Sequence, residues 1–134
     1  MENDIIRSGY DAMGESYHQR RVNKQAVNYA YFDQLSSYWP TSGTVLDLGC
    51  GGGVPVTKYF FDKGLTVSGV DISPAMIDIA RKEIPEGTFQ VGDMANLDFP
   101  AESFDLIVST FAIIHVQREK HAALFAHLYT WLKE

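Results

Sequence analysis

One cysteine, Cys50, in a chain of 134 residues leaves no intramolecular disulfide to be made. No stretch approaches the ~18 to 20 consecutive apolar residues of a membrane-spanning helix. The richest run, 104–116, is interrupted by Asp105, Ser109, Thr110 and His115. Near Met1 no basic segment leads into an apolar run and a small-residue cleavage site, so secretion is not expected and a cytoplasmic location is. Cations are also scarce: 11 Lys and Arg stand against 17 Asp and Glu, a net charge of -6 that repels phosphate backbones. Nucleic acid and anionic membrane are therefore disfavoured partners. The local cluster Arg20, Arg21 and Lys24 reads as a solvated helix end. The remainder, 46% hydrophobic and 21% charged, suits one globular domain over 1–134.

Between Asn3 and Trp39 apolar residues recur at helical spacing in two sets, Ile5, Ile6, Tyr10, Met13 and Tyr17, then Val27, Ala30, Tyr31, Leu35 and Tyr38. Two helices follow, the first capped by Asn3 or Asp4 and the second ended by the turn cluster Pro40 to Gly43. After residue 40 the pattern changes. Thr44 to Leu48 is β-rich and breaks into Gly49-Cys50-Gly51-Gly52-Gly53, with Pro55 suited to the first turn of a helix reaching Lys63. Leu65 to Val70 reads as a second strand, and Ser73-Pro74 as the cap and first position of a helix to Ile84. Thr88 to Val91 is a third strand and Phe104 to Thr110 a fourth, expected to be fully buried. A last helix from Gln117 to Lys133 would bury Ala122, Phe125, Leu128, Tyr129 and Leu132. Strands alternating with helices imply an α/β fold with a mainly parallel sheet.

In such a sheet ligands bind beyond the carboxyl ends of the strands. Gly49, Gly51 and Gly53 lie where the chain leaving the first strand must turn, and without Cβ atoms they admit positive φ and close approach of a ligand. This glycine pattern suits a dinucleotide, S-adenosylmethionine (SAM), or a turn with no ligand. Asp71 ends the second strand, where a carboxylate can accept both hydroxyls of a ribose. Asp93 follows the third strand and could accept an adenine amine, with Ile72 and Met94 as walls of a base slot. Acidic residues at three successive strand ends exceed what turn chemistry alone explains.

Val45 to Gly53, Val70-Asp71-Ile72-Ser73, Gly92-Asp93-Met94, Phe104 to Val108 and Ala112 to Val116 resemble the successive motifs of class I SAM-dependent methyltransferases. The resemblance runs from about Tyr10 to the last residue. It implies a Rossmann-like three-layer sandwich over 41–134, preceded by a helical cap over 1–40. It further implies that Asp47 and the loop Gly49, Cys50, Gly51 and Gly53 hold the methionine part of SAM, that Asp71 takes the ribose, and that Ile72, Asp93 and Met94 hold the adenine. The backbone near Ser109, Thr110 and Phe111 would meet the amino-acid end, and Tyr10, Tyr17 or Arg20 would form a lid. The acidic residue leading the loop favours the ammonium of SAM over the pyrophosphate of a dinucleotide.

Methyl transfer is expected to go to a small-molecule acceptor, mainly through alignment. His115, past the fourth strand, is the candidate base, if it is not a hydrogen-bonded core residue. His18, His121 and His127 fall on predicted helices without an assigned role, and no spacing suggests a metal site. The competing reading is a SAM-binding module without catalysis. Family members continue beyond the helix that ends this chain, so the sheet is expected to be incomplete on its C-terminal side. An open edge at Phe104 to Thr110, unguarded by Pro or Lys, would then be satisfied by homodimers or by the final helix folding over the gap.

Overall fold

The computed structural model describes residues 2–134, apart from the side chains of Glu2, Ala26 and Val27. Two helices come first, α1 over Glu2–Asn23 and α2 over Gln25–Gln34. They are followed by β1 (Thr44–Leu48), α3 (Val56–Asp62), β2 (Thr66–Asp71), α4 (Pro74–Glu83), β3 (Thr88–Val91), β4 (Leu106–Val108) and α5 (His121–Trp131). The strands lie in the order β3-β2-β1-β4 and every pair is parallel. The chain winds outward from β1 to β3, then returns to the far side of β1 as β4. That reversal puts a crevice at the carboxyl ends of β1 and β4. The Rossmann-like expectation is met, with β4 at one edge of a four-stranded sheet.

Alternation along β1 divides the core in two. Val45 packs with Tyr59, Phe60, Ile77 and Ile84 of the α3 and α4 layer, which Tyr29, Phe32 and Trp39 extend. Leu46 and Leu48 face the other way, toward Phe104 and Trp131, with Leu128 beside them. Sequence chemistry marks the start of α4: Ser73 Oγ accepts from the Met76 N–H at 3.2 Å, and Pro74 is the first helical residue. Three contacts dock α1 against α4 and its cap: Ser73 Oγ and the Ala75 N–H, at 3.2 Å, both donate to Asp11 Oδ1, and His18 Nε2 lies 3.0 Å from Glu83 Oε1. No helix among the described residues is long and apolar enough to cross a membrane.

Several faces and edges differ from expectation. α1 starts at Glu2, so Asn3 and Asp4 lie inside its first turn instead of capping it, and the Asn3 amide donates to Asp93 Oδ2 at 2.6 Å. α2 ends at Gln34, ahead of the Pro40 to Gly43 cluster, and a 3-10 turn follows at Ser36–Tyr38. The expected face of α2 is wrong: Ala30, Tyr31, Leu35 and Tyr38 are exposed, and the Val27 side chain lies outside the described residues. Tyr29 and Phe32 pack instead, because the Tyr59 and Phe60 rings of α3 meet them edge-on or tilted at 5.0 to 6.2 Å. β4 spans three half-buried residues rather than a fully buried Phe104 to Thr110. Phe104 forms only an isolated parallel bridge, to Leu132. α5 is shorter than Gln117 to Lys133, being preceded by a 3-10 turn at Arg118–Lys120. It buries Leu124 and Trp131, while Phe125 and Tyr129 are 53% and 83% exposed and Ala122 is exposed.

Candidate active site

The turn after β1 is held by its own backbone. Gly49 and Cys50 donate N–H groups to the Val70 carbonyl at 2.7 and 3.0 Å, and Gly51 N–H donates to Asp71 Oδ2 at 2.9 Å. Asp71 Oδ1 accepts from Ser73 N–H at 3.0 Å. This carboxylate therefore fixes the glycine loop to the end of β2. Gly49 has φ +77, and a Cβ there would lie 2.1 Å from Ala112 Cβ, so no other residue fits between the two connections at the switch point.

Beside the loop a cleft encloses about 770 Å³ of space open to solvent. Gly49, Gly51, Asp71, Ile72, Asp93, Met94, Thr110, Tyr17 and His115 all line it. A smaller annex of about 360 Å³ shares Tyr17, Gly49, Gly51 and Thr110 and adds Asp47 and Cys50. Gly53 lines neither cavity; at φ +82 a Cβ there would lie 3.4 to 3.5 Å from Ala80 of α4 and from Ile84 just past it. Ser109 turns inward and donates its hydroxyl to the Leu48 carbonyl at 2.8 Å. Among the described residues, no cluster of His, Cys, Asp or Glu could hold a metal ion.

Charge in the two cavities is unevenly satisfied. Asp47 is 1% exposed; its Oδ2 accepts from Thr57 Oγ1 at 2.7 Å while Oδ1 has no partner among the described residues. Burial pushes this carboxyl up to about 7, although the Thr57 hydrogen bond pulls in the other direction. Burial also raises Asp71, against the N–H groups of Ser73 and Gly51, which favour its ionised form. Burial raises the Cys50 thiol well above its ordinary value, so it stays protonated and packs as a small apolar group. Asp93 is shared already: Oδ1 accepts from Ala95 N–H at 3.0 Å, and Oδ2 from the amides of Asn3 and Asn96 at 2.6 and 2.8 Å.

α1 closes the cleft from above. Tyr10 and Tyr17 line it, their rings edge-on at 5.2 Å. The Tyr10 hydroxyl lies 3.1 Å from His115 Nε2, and His115 is exposed at the cleft rather than part of the core. Sequence reasoning missed His18 and Arg21, which line the annex. His18 is 3% exposed and its Nδ1 has no partner among the described residues, while the Arg21 guanidinium lies 5.3 Å from the Phe111 ring centroid. Arg20, expected in the lid, is exposed and reaches only Met13 Sδ at 3.9 Å. The available signal was spacing: His18 and Arg21 are three apart on one helical face beside Tyr17.

A family model described as a methyltransferase domain matches residues 45–134. Aklanonic acid methyltransferase of a Streptomyces species is 39% identical over 82 residues, which are 55% of this chain and 37% of that protein. The 18S rRNA (guanine-N(7))-methyltransferase of Bos taurus is 40% identical over 70 residues, 52% of this chain and 25% of the relative. The crystal structure of a TehB-like SAM-dependent methyltransferase from Corynebacterium glutamicum superposes with a TM-score of 0.76 at 30% identity, covering 90% of this chain and 67% of that one. The chain belongs to the SAM-dependent methyltransferases. S-adenosylmethionine is the cofactor of that family, and this chain spans 37% and 25% of the length of the two curated relatives named.

Proposed function

We propose that the cleft and its annex bind S-adenosylmethionine and that the protein transfers the methyl group to a small-molecule acceptor. The observation that carries this reading is a pair of buried polar atoms without partners among the described residues, Asp47 Oδ1 and His18 Nδ1, on residues that line one annex. An unpaired buried polar atom costs about 1 to 3 kcal/mol, so such a pair calls for a ligand bearing complementary groups. A free amino-acid end supplies them: its ammonium pairs with Asp47, and its carboxylate with His18 and Arg21. The rest of the fit follows from the cleft. Asp71 has lone pairs left after two N–H contacts and accepts ribose hydroxyls. Ile72 and Met94 take the faces of the adenine, and Asp93 keeps acceptor capacity on Oδ1 for its amine.

SAM supplies an electrophilic methyl on a sulfonium. The chain's own contribution is to align the acceptor, exclude water beneath Tyr10 and Tyr17, and take a proton at His115 Nδ1 while Nε2 donates its N–H to the Tyr10 hydroxyl, which holds the ring in place. A net charge of -6 favours a small acceptor over RNA. The test is conversion of SAM to S-adenosylhomocysteine across a panel of small acceptors and an RNA pool. Acceptor-dependent turnover with a small molecule is the expected result. Turnover with RNA alone would overturn the acceptor class, and binding of SAM without any turnover would favour a non-catalytic module.

A further inference from the structure

We propose, resting on the methyltransferase reading, that the acceptor is an apolar molecule bearing a carboxylate, and that Arg118 receives that carboxylate. A groove of about 1090 Å³ runs on from the cleft, the two sharing Ile6, His115, Val116 and Gln117. Its floor is aliphatic: Ile5 and Ile114, 71% and 76% exposed, stand beside Ile6 and Val116. Its charged and ionisable lining residues among those described are Arg118, His115 and His121, and no carboxylate among the described side chains lines it. Lys120 lines the adjoining cleft. This bias runs against the whole chain, where acids exceed bases by 17 to 11. Arg118 is exposed and forms no salt bridge with a described residue, although Glu119 is its sequence neighbour. His121 is held by a 2.9 Å contact between Nε2 and the Val116 carbonyl, so its ring is fixed at the groove. An apolar body would cover the isoleucines, and a planar carboxylate matches the guanidinium fork of Arg118. The same molecule would reach back past His115 into the cleft.

The experiment is calorimetric titration of the full chain with 2-naphthoate and with its neutral isostere 2-naphthamide, with and without saturating S-adenosylhomocysteine. The carboxylate should bind about fivefold more tightly than the amide, the ceiling for a solvent-exposed ion pair, with the preference shrinking as salt is raised. Arg118→Gln should erase that preference and leave S-adenosylhomocysteine affinity unchanged. Ile114→Ser should weaken both probes alike. Equal binding of the two probes, binding of neither, or a preference that survives in Arg118→Gln would overturn the proposal. Failure of S-adenosylhomocysteine to bind would instead strike at the methyltransferase reading, since the probe titrations are also made without it.

Discussion

Lowering the pH from 7 to 5.5 should weaken S-adenosylhomocysteine binding roughly fifteenfold, through Asp47. This carboxyl is buried and its pKa is pushed up to about 7, so it is half ionised at neutrality and almost wholly protonated at pH 5.5. An ammonium gains from the anion only, and each pH unit well below about 7 costs close to tenfold in affinity. Asp71, also raised by burial, acts in the same direction. At a pH high enough to deprotonate the ligand's own amine, affinity falls again. The unliganded protein has the opposite sign. An acid whose folded pKa exceeds its unfolded value favours the folded state when protonated, so this contribution is lost as pH rises from about 4 through about 7, by up to roughly 4 kcal/mol. Calorimetry in buffers of different ionisation enthalpy reads the proton released on binding, and Asp47→Asn should flatten the profile below pH 7. Equal affinity at pH 5.5 and 7, or an unchanged slope in Asp47→Asn, would refute the reasoning.

Gly49→Ala should reduce S-adenosylhomocysteine affinity far more than Gly51→Ala: both have positive φ, but only at Gly49 does a Cβ collide, with Ala112. The added strain is ~1 to 3 kcal/mol, and a larger loss at Gly51 in parallel titrations would contradict it. Trp131→Ala should destabilise the fold by ~3 to 5 kcal/mol in urea melts, because the indole is 1% exposed between Phe99 and the sheet; a loss under about 1 kcal/mol would mean that α5 does not build the second core. The outer edge of β4 at Leu106–Val108 is unpaired in the sheet and carries no Pro or Lys, so sedimentation velocity should detect concentration-dependent dimers. A single monomeric species across the concentration range would contradict that.

The strands and helices of the first half of the sheet were legible because local chemistry and burial agree there. Ser73-Pro74 starts α4 as its residue types require, and Thr88–Val91 is the third strand as read. The glycine turn and the carboxylates Asp71 and Asp93 were legible because a parallel sheet brings successive strand ends to one side. Helix faces were less legible. Both sides of α5 are apolar, so periodicity could not choose between Phe125 with Tyr129 and Leu124 with Trp131. The buried face of α2 depends on the aromatic rings of α3, about 30 residues further along the chain. His18 was illegible for a similar reason: only the docking of α1 on α4 through Glu83 buries it and leaves Nδ1 facing the loop, where a Cβ on Gly52 would lie 2.3 Å from it.

The most direct measurement of the central claim is the thermal shift of the wild type and Asp71→Ala with S-adenosylhomocysteine and with NAD. Ligand at about 100 times its dissociation constant adds ~2.7 kcal/mol to stability, a shift easily resolved in a domain of this size. Stabilisation by S-adenosylhomocysteine, none by NAD, and an affinity loss of ~1.5 to 3 kcal/mol in Asp71→Ala are expected, since that variant lacks the carboxylate proposed for the ribose hydroxyls. A larger shift with NAD, or equal S-adenosylhomocysteine affinity in the two proteins, would contradict the claim.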